Sequence, residues 1–247
     1  MLLMIFAALA LATGPTLQGF PPSPVSVSQP TVGALTDGAP VIEFSVTNGA
    51  KQTVTAWEVR VELTLSDGTS GGLSLAREGY ASFEGVVTDR GQEPPFIRPG
   101  ASIVGTIPVP DMRGLSFAVR GGNVVWAIFE DGSWVGDPER VQANFKRRQD
   151  ERRAMQEIVG ALRTGISTGP DGVAVALTLL TPKDSATEDN HAKRLMRENL
   201  KRLARKQTNS AFPVNVLPYL QQLLASYEAP LAAAEKHSQP KAGGPPR

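Results

Sequence analysis

One stretch decides the fold of the first half of the chain: Trp57 to Leu65, which reads WEVRVELTL. In it, apolar residues alternate with Glu58, Arg60 and Glu62, and the segment Ile42–Thr47 repeats this alternation. Because successive side chains of a β-strand point to opposite faces, the stretch predicts a strand with one face in a core. The other face is predicted to carry water-facing charges.

Turn signals and short apolar stretches extend this pattern along the chain. Asn48-Gly49 separates the two strands above and predicts a tight turn, because these residues tolerate positive φ. Further strands are predicted over Ile103–Val109 and Leu115–Phe129, the second with a bulge or turn at Gly121-Gly122. Strands at this spacing, with no helical segment between them, predict an antiparallel β-sandwich over residues 25–135.

The second half has the apolar periodicity of helices, which predicts a helical region over residues 136–236. Asp137-Pro138-Glu139 combines an N-cap, a first-turn proline and a favourable charge. A helix is therefore predicted from there to about Arg163, ending near Gly165. Residues 173–180 are too few and too uniformly apolar to assign by period, and we favour a helix.

Two more amphipathic helices are predicted in this region. Ser185 and Glu188 form a capping box ahead of one apolar stripe, and a second helix begins at about Asn215. Pro230 is predicted to kink or end that second helix. Residues 237–247 are predicted to be a disordered tail.

The N-terminal residues predict export to the periplasm or the extracellular space. Residues 1–12 contain an apolar run that is too short for a membrane-spanning helix but typical of a signal peptide. Residues 13–24 are predicted to be a Pro-rich spacer. A buried N-terminal strand and an uncleaved anchor remain as alternatives.

Charge is distributed unevenly between the two halves. Residues 1–135 contain seven Lys and Arg against twelve Asp and Glu, a net charge of −5. Residues 136–247 contain eighteen against twelve, a net charge of +6. Opposite fields of this kind favour either docking of the two parts or attraction of an anionic partner by the basic part.

Part of the predicted sandwich resembles a known kind of module. The strand ending in Asn48-Gly49-Ala50-Lys51, the following Trp57 and the turn Ile97-Arg98-Pro99-Gly100 are similar to those of predicted exported bacterial proteins with immunoglobulin-like or fibronectin-type-III-like β-sandwiches. The resemblance covers Val25–Trp134. It implies an immunoglobulin-like fold, an envelope location and no catalytic residue. With the helices, the predicted class is α+β: an N-terminal antiparallel immunoglobulin-like β-sandwich followed by a C-terminal α-helical region.

Catalytic chemistry finds little support in the residue types present. The histidines are His191 and His237, and there is no cysteine, which argues against a Ser-His-Asp arrangement or a zinc site. Glu58 and Glu62 share a strand face, but Arg60 between them favours a solvated ion-pair ladder over a glycosidase pair. The sequence therefore predicts no enzyme, no metal and no cofactor.

Two candidate binding surfaces remain. Loop aromatics predict a ligand surface, with a loop pinned by its own aromatics as the alternative; they are Tyr80, Phe83, Phe96 and Trp134. A basic face on the helices predicts contact with anionic lipid or an acidic partner, with a solvated helix face as the alternative. Its residues are Lys146, Arg147, Arg148, Arg197, Lys201 and Arg205.

The interpretation favoured by these observations is a non-catalytic exported envelope protein that mediates protein or surface interaction. A carbohydrate-binding module that uses the loop aromatics is one alternative. Peripheral binding to an anionic membrane through the basic helices is another. The identity of the partner is open, and no nucleic acid is expected because an exported protein seldom meets one.

Overall fold

The structure of the chain is a computed structural model that describes most residues between Ser23 and Lys241. The described ranges are 23–36, 38–80, 96–112, 114–182, 190–209 and 215–241. Most of the predicted signal peptide and spacer, and residues 242–247 of the predicted tail, lie outside these ranges. The class is α+β, with antiparallel strands in two sheets and with helices.

The chain divides into two compact units. The β unit comprises the described residues of Met1–Gly79, Glu93–Ala143 and Pro240–Arg247. The helical unit comprises those of Tyr80–Gln92 and Asn144–Gln239. The β unit therefore includes residues 136–143 in addition to described residues of the predicted sandwich.

The strands of the β unit form two four-stranded antiparallel sheets. They are β1 (Val25–Val27), β2 (Thr31–Ala34), β3 (Pro40–Asn48), β4 (Val54–Leu65), β5 (Ser70–Glu78), β6 (Ser102–Pro108), β7 (Phe117–Phe129) and β8 (Trp134–Gly136). In one sheet, β3 pairs with β1, β2 and β6; in the other, the order is β5-β4-β7-β8. Apolar side chains of both sheets form one core, so burial of this shared core stabilises both sheets.

The strand that the alternation in WEVRVELTL predicts, with one side facing the core, is confirmed. Its apolar residues from Trp57 to Leu63 are buried in the core of the β unit. The expectation for the other side is wrong at Glu58, which is only 5% exposed. Glu62 on the same side is exposed, as predicted.

A register shift in β7 explains the covering of Glu58. Glu58 pairs with Trp126 while Val59 pairs with Val124, so Val125 has no partner on β4 and forms a bulge. Paired residues of antiparallel strands share a face, so Trp126 lies beside Glu58. The same bulge accounts for the irregular alternation of the sequence around Trp126.

Both glycine-containing turn predictions need revision. β7 runs through Gly121-Gly122 as one strand, and its other irregularity lies at Arg120, between the residues paired with Glu62 and Leu63. Asn48-Gly49 does mark the end of β3, but β3 and β4 belong to different sheets.

Asn48 acts through its side chain, which has no exposed surface. Its Nδ2 donates to the carbonyls of Gln52 and Ile97, and its Oδ1 accepts from the Ala50 amide. Side-chain hydrogen bonds of this kind replace the backbone turn that the sequence predicted.

The helical unit contains most of α1 (Pro138–Thr168) and all of α2 (Gly172–Leu180), α3 (His191–Asn209) and α4 (Leu217–His237). These helices bury one apolar cluster to which all four contribute. The helix favoured over residues 173–180 is confirmed. Because the apolar residues recur at helical spacing on α3 and α4, burial of this stripe holds the helices together.

α1 does not end near Gly165, as the sequence predicted. It continues to Thr168 and is followed by a single turn at Gly169–Asp171. A Cβ at Gly165 would lie 2.5 Å from the Gly172 carbonyl oxygen, so this glycine allows a close approach of α1 and α2.

The ends of α3 and α4 also differ from expectation. Asn190 caps α3, its Oδ1 accepting from the amide of Ala192 at 2.9 Å, whereas Ser185 and Glu188 lie outside the described residues. α4 runs through Pro230 to His237. His237 is therefore not part of a disordered tail.

No described helix is both long enough and apolar enough to cross a membrane.

Candidate binding groove of the helical unit

The predicted aromatic residues are distributed over both units. Tyr80 belongs to the helical unit, and Phe96 and Trp134 belong to the β unit. Phe83 lies outside the described residues. Trp134 is partly exposed at the edge strand β8, and Phe96 packs against Gly79 so closely that no side chain would fit there.

Tyr80 is held within the helical unit by stacking. Its ring lies parallel to that of His237, with 4.1 Å between the ring centroids. The Arg148 guanidinium lies 5.3 Å from the Tyr80 centroid and donates to the His237 carbonyl. Because these contacts occupy the tyrosine ring, Tyr80 is a weaker candidate for stacking on a ligand.

The predicted basic face separates into buried and exposed members. Arg148 is 2% exposed, and Arg197 is 9% exposed and donates to the Leu180 carbonyl. These two arginines bind parts of their own unit and do not belong to an outward surface. Lys146 is exposed but pairs with Asp150, with 2.7 Å between Nζ and Oδ2. Arg147 is exposed.

Exposed cations remain concentrated on α3. We call Lys201, Arg202, Arg205 and Lys206 the α3 cation cluster; all four are exposed. Among the described residues, none of the four forms an ion pair with a carboxylate. Glu198 lies one turn before Arg202 without bridging to it. The cluster therefore presents positive charge that the described part of the chain does not neutralise.

A groove runs along one side of this cluster, between α3 and α4. We call it the α3–α4 groove; it has a volume of about 350 Å³. Its lining residues are Asn199, Arg202, Leu203 and Lys206 of α3 and Tyr219, Gln222, Leu223 and Ser226 of α4. The two sets have the same spacing of i, i+3, i+4 and i+7, so each is a single stripe on its helix.

The groove combines an apolar interior with a positive edge. Leu203 and Leu223 supply apolar surface, and Tyr219 is 50% exposed. Arg202 and Lys206 line the groove, whereas none of the lining residues is acidic. This arrangement attracts an anionic group and offers apolar surface beside it.

The β unit contains a buried polar cluster of a different kind. Glu58 accepts a hydrogen bond from Trp126 Nε1 at 2.7 Å and pairs with Arg140 near the start of α1. The sequence predicted Arg60 as the partner of Glu58, whereas in the structure the partner is Arg140. Because both oxygens of the carboxylate are engaged, the cluster stabilises the β unit and leaves no oxygen of Glu58 directed at a substrate.

The chemistry of the described residues gives no metal centre. They contain no group of three or more His, Asp or Glu side chains able to hold a metal ion. His191 lies beside Arg194, with 2.7 Å between Nδ1 and the guanidinium, and His237 stacks on Tyr80.

The sequence predicted a basic face on the helices but not the groove beside it. Arg202, Lys206 and Tyr219 are not distinguished by residue type from their neighbours. The signal available was the repeated spacing of residues 199–206 and 219–226. It becomes informative only when the two helices are known to be adjacent.

Comparison with known proteins adds little. No protein-family model matches the chain, and no curated protein sequence is similar to it. Among solved structures, a hypothetical protein from Peptoclostridium difficile 630 has a TM-score of 0.30 and 11% identity over 49% of this chain and 90% of that one. An X-ray structure of the structural genomics target SoR45 has a TM-score of 0.19 and 14% identity over 45% of this chain and 75% of that one. Likenesses this weak carry no argument about function.

Proposed function

We propose that this chain is a non-catalytic exported protein in which an immunoglobulin-like β-sandwich is joined to helices that bind an anionic partner. The observation that carries the proposal is the α3 cation cluster, which is exposed and has no carboxylate partner among the described residues. Some exposed cations elsewhere in the helical unit are paired with carboxylates, as Lys146 is with Asp150 and Arg163 is with Glu228.

The strand pairing supports the immunoglobulin-like assignment. If β3, β4, β6, β7 and β8 correspond to strands B, C, E, F and G, one sheet holds A, B and E and the other holds C, F and G, with β5 as an added C′ strand. The buried Trp57 on β4 then occupies the place of the core tryptophan of strand C. Without cysteine the inter-sheet disulfide is replaced by apolar packing alone.

Two alternatives have weaker support. A carbohydrate site needs aromatic rings that are free to stack, but Tyr80 stacks on His237 and only Trp134 is a partly exposed tryptophan. Peripheral binding to a membrane needs a helix with an exposed apolar face. The apolar stripe of α3 is instead buried in the helical core.

Crosslinking and co-purification from the native cell envelope test the proposal. In the cluster variant, all four cations of the α3 cation cluster are replaced by Gln. The control variant replaces four other exposed cations by Gln and loses the same charge; they are Lys146, Arg147, Arg153 and Arg163. Loss of the partner in the cluster variant alone supports the proposal. Equal capture by both variants, or turnover that disappears in Glu58→Gln, contradicts it.

Export is tested separately by N-terminal sequencing of the mature protein. The proposal expects a periplasmic or secreted form that begins shortly after Ala10 or Ala12, because both residues complete a small-x-small cleavage pattern. Full-length protein retained in the cytosol would contradict it.

A further inference from the structure

We propose that the α3–α4 groove binds an acidic amphipathic helix of another protein. This inference rests on the proposed function and specifies the partner. Helix-in-groove recognition places the apolar face of a helix into an apolar channel, with anchors at i, i+3, i+4 and i+7. In this groove, Leu203, Leu223 and Tyr219 supply the apolar surface that such anchors would contact.

The dimensions of the groove fit two turns of a helix. Asn199 and Lys206 are seven residues apart on α3, which is about 10 Å along the helix axis. Tyr219 and Ser226 span the same distance on α4. A third helix lying between α3 and α4 would meet Leu203 and Leu223 near the middle of these two turns, with polar side chains around them.

The charges of the groove fix the sign of the partner. Arg202 and Lys206 are one turn apart on the wall formed by α3, with Cβ atoms about 5–6 Å from each other. Carboxylates at positions i and i+4 of a bound helix have the same spacing, so each reaches one cation. Since no acidic residue lines the groove, the partner must supply the negative charge.

The groove favours a helix over a lipid surface. The outward side of α3 carries cations, and the exposed large apolar side chains of the described helical unit are Leu179 and Tyr219. Tyr219 lies inside the groove, where a concave wall receives a side chain but not a planar bilayer. Contact with phospholipid is therefore an outcome that the experiment must exclude.

The experiment measures fluorescence anisotropy with the full chain and a fluorescein-labelled stapled helical peptide. The peptide has leucines at i, i+3, i+4 and i+7 and flanking glutamates. One comparison peptide has lysine in place of glutamate, and another contains proline and has the same charge without a helix. Binding of each is repeated in the presence of phosphatidylglycerol vesicles and at high ionic strength.

Matched variants separate the groove from the rest of α3. Arg202→Glu combined with Lys206→Glu reverses the groove cations, whereas Lys201→Glu combined with Arg205→Glu reverses the same charge outside the groove. We expect the first pair, and Tyr219→Ala, to weaken binding of the acidic helix about tenfold or more, and the second pair to weaken it about threefold or less. Leu179→Ala is the control for Tyr219→Ala, because both side chains are exposed apolar surface.

Three results overturn the inference, and they differ in what they leave standing. If the proline peptide binds as tightly as the helical one, or if both charge-reversed pairs weaken binding equally, the groove is not the binding site. An anionic partner for α3 is then still supported. Displacement of the peptide by vesicles, with direct binding of the chain to them, replaces the helix by a lipid surface. Failure of every acidic peptide to bind removes the proposed function as well.

Discussion

Glu58 is a buried carboxylate of the β unit that has two side-chain partners. Its two oxygens engage Trp126 and Arg140, and its side chain is 7% exposed against 48% for Arg140. Removing the cation leaves a buried charge with one hydrogen bond, which is more costly than losing a surface pair. Arg140 therefore stabilises the β unit by pairing with Glu58, which the sequence predicted to lie on the water-facing side of its strand.

We expect Arg140→Ala to lower the free energy of unfolding of the β unit by about 1–3 kcal/mol, because the Glu58 carboxylate loses its charged partner. Urea unfolding followed by tryptophan fluorescence is the measurement, since Trp57, Trp126 and Trp134 all belong to the β unit. Arg147→Ala, an exposed change on the same helix, is the control and should lie within about 0.5 kcal/mol of wild type. Equal effects of both changes would show that the buried pair contributes nothing.

Asp131 gives the β unit a dependence on pH. Burial by itself raises the pKa of this carboxyl, but hydrogen bonds from Lys241, Ser133 and Gln52 outweigh it and hold the pKa well below its ordinary value. A lowered pKa in the folded state stabilises the fold above the pKa of the unfolded chain. This stabilisation is lost as the pH falls towards the folded-state pKa.

The prediction for Asp131→Asn follows from that sign. The variant should be less stable than wild type at neutral pH, and the difference should shrink progressively below about pH 4, where the unfolded carboxyl is protonated. Tryptophan-monitored denaturation between neutral and acidic pH measures it. A difference that is constant across this range would exclude a role for the charge.

Among the elements, α1 and α2 approach each other closely where Gly165 faces Gly172. A Cβ at Gly165 would approach the Gly172 carbonyl oxygen and lie 3.1 Å from the Ala176 Cβ. Gly160 lies on the same helix with nothing within 4 Å of the equivalent position. Alanine substitutions at Gly165 and Gly160 therefore distinguish the effect of close packing from the intrinsic helix preference of alanine.

We expect Gly165→Ala to destabilise the helical unit by roughly 1–3 kcal/mol, since the added methyl group overpacks the contact. Gly160→Ala should stabilise it by about 0.5–1 kcal/mol because alanine favours the helix. Thermal unfolding followed by circular dichroism at the helical band compares them. Stabilisation by both changes would mean that α1 and α2 do not approach closely at Gly165.

The elements show why part of the fold was predictable. Periodicity alone identifies β4 and the apolar stripes of α3 and α4, because burial of one face imposes a spacing on the sequence. It shows only an irregular alternation around Trp126 and does not identify Val125 as the bulged residue, because the bulge is defined by pairing with β4. The sequence also predicted that α1 ends near Gly165, whereas this glycine lies within α1 and allows close packing against α2.

The candidate site was less predictable than the fold. Arg148 lies three residues after Phe145 and seven before Met155, so it falls on the buried stripe of α1 despite its charge. A basic run looks the same in sequence whether its members face solvent or a neighbouring ring. Which cations remain unpaired is decided by contacts between helices, and local sequence contains no record of them.

For the molecule as a whole, the proposed function depends on the positive charge of the α3 cation cluster, which the described part of the chain does not neutralise. Surface ion pairs contribute little stability, so the lack of carboxylate partners for the α3 cations costs the fold little. They do create a positive field that attracts anions and is weakened by salt. Such a surface suits recognition better than structural support.

Calorimetric titration of the full chain with polyglutamate measures whether the α3 cation cluster binds an anionic polymer. We expect saturable binding at low ionic strength that weakens as salt is added. Binding should be lost in the variant with Gln at Lys201, Arg202, Arg205 and Lys206, and retained in the control variant of equal charge. Polyglutamate binding that is equal in the cluster variant and wild type would contradict the account, because the α3 cations would then have no part in recognition.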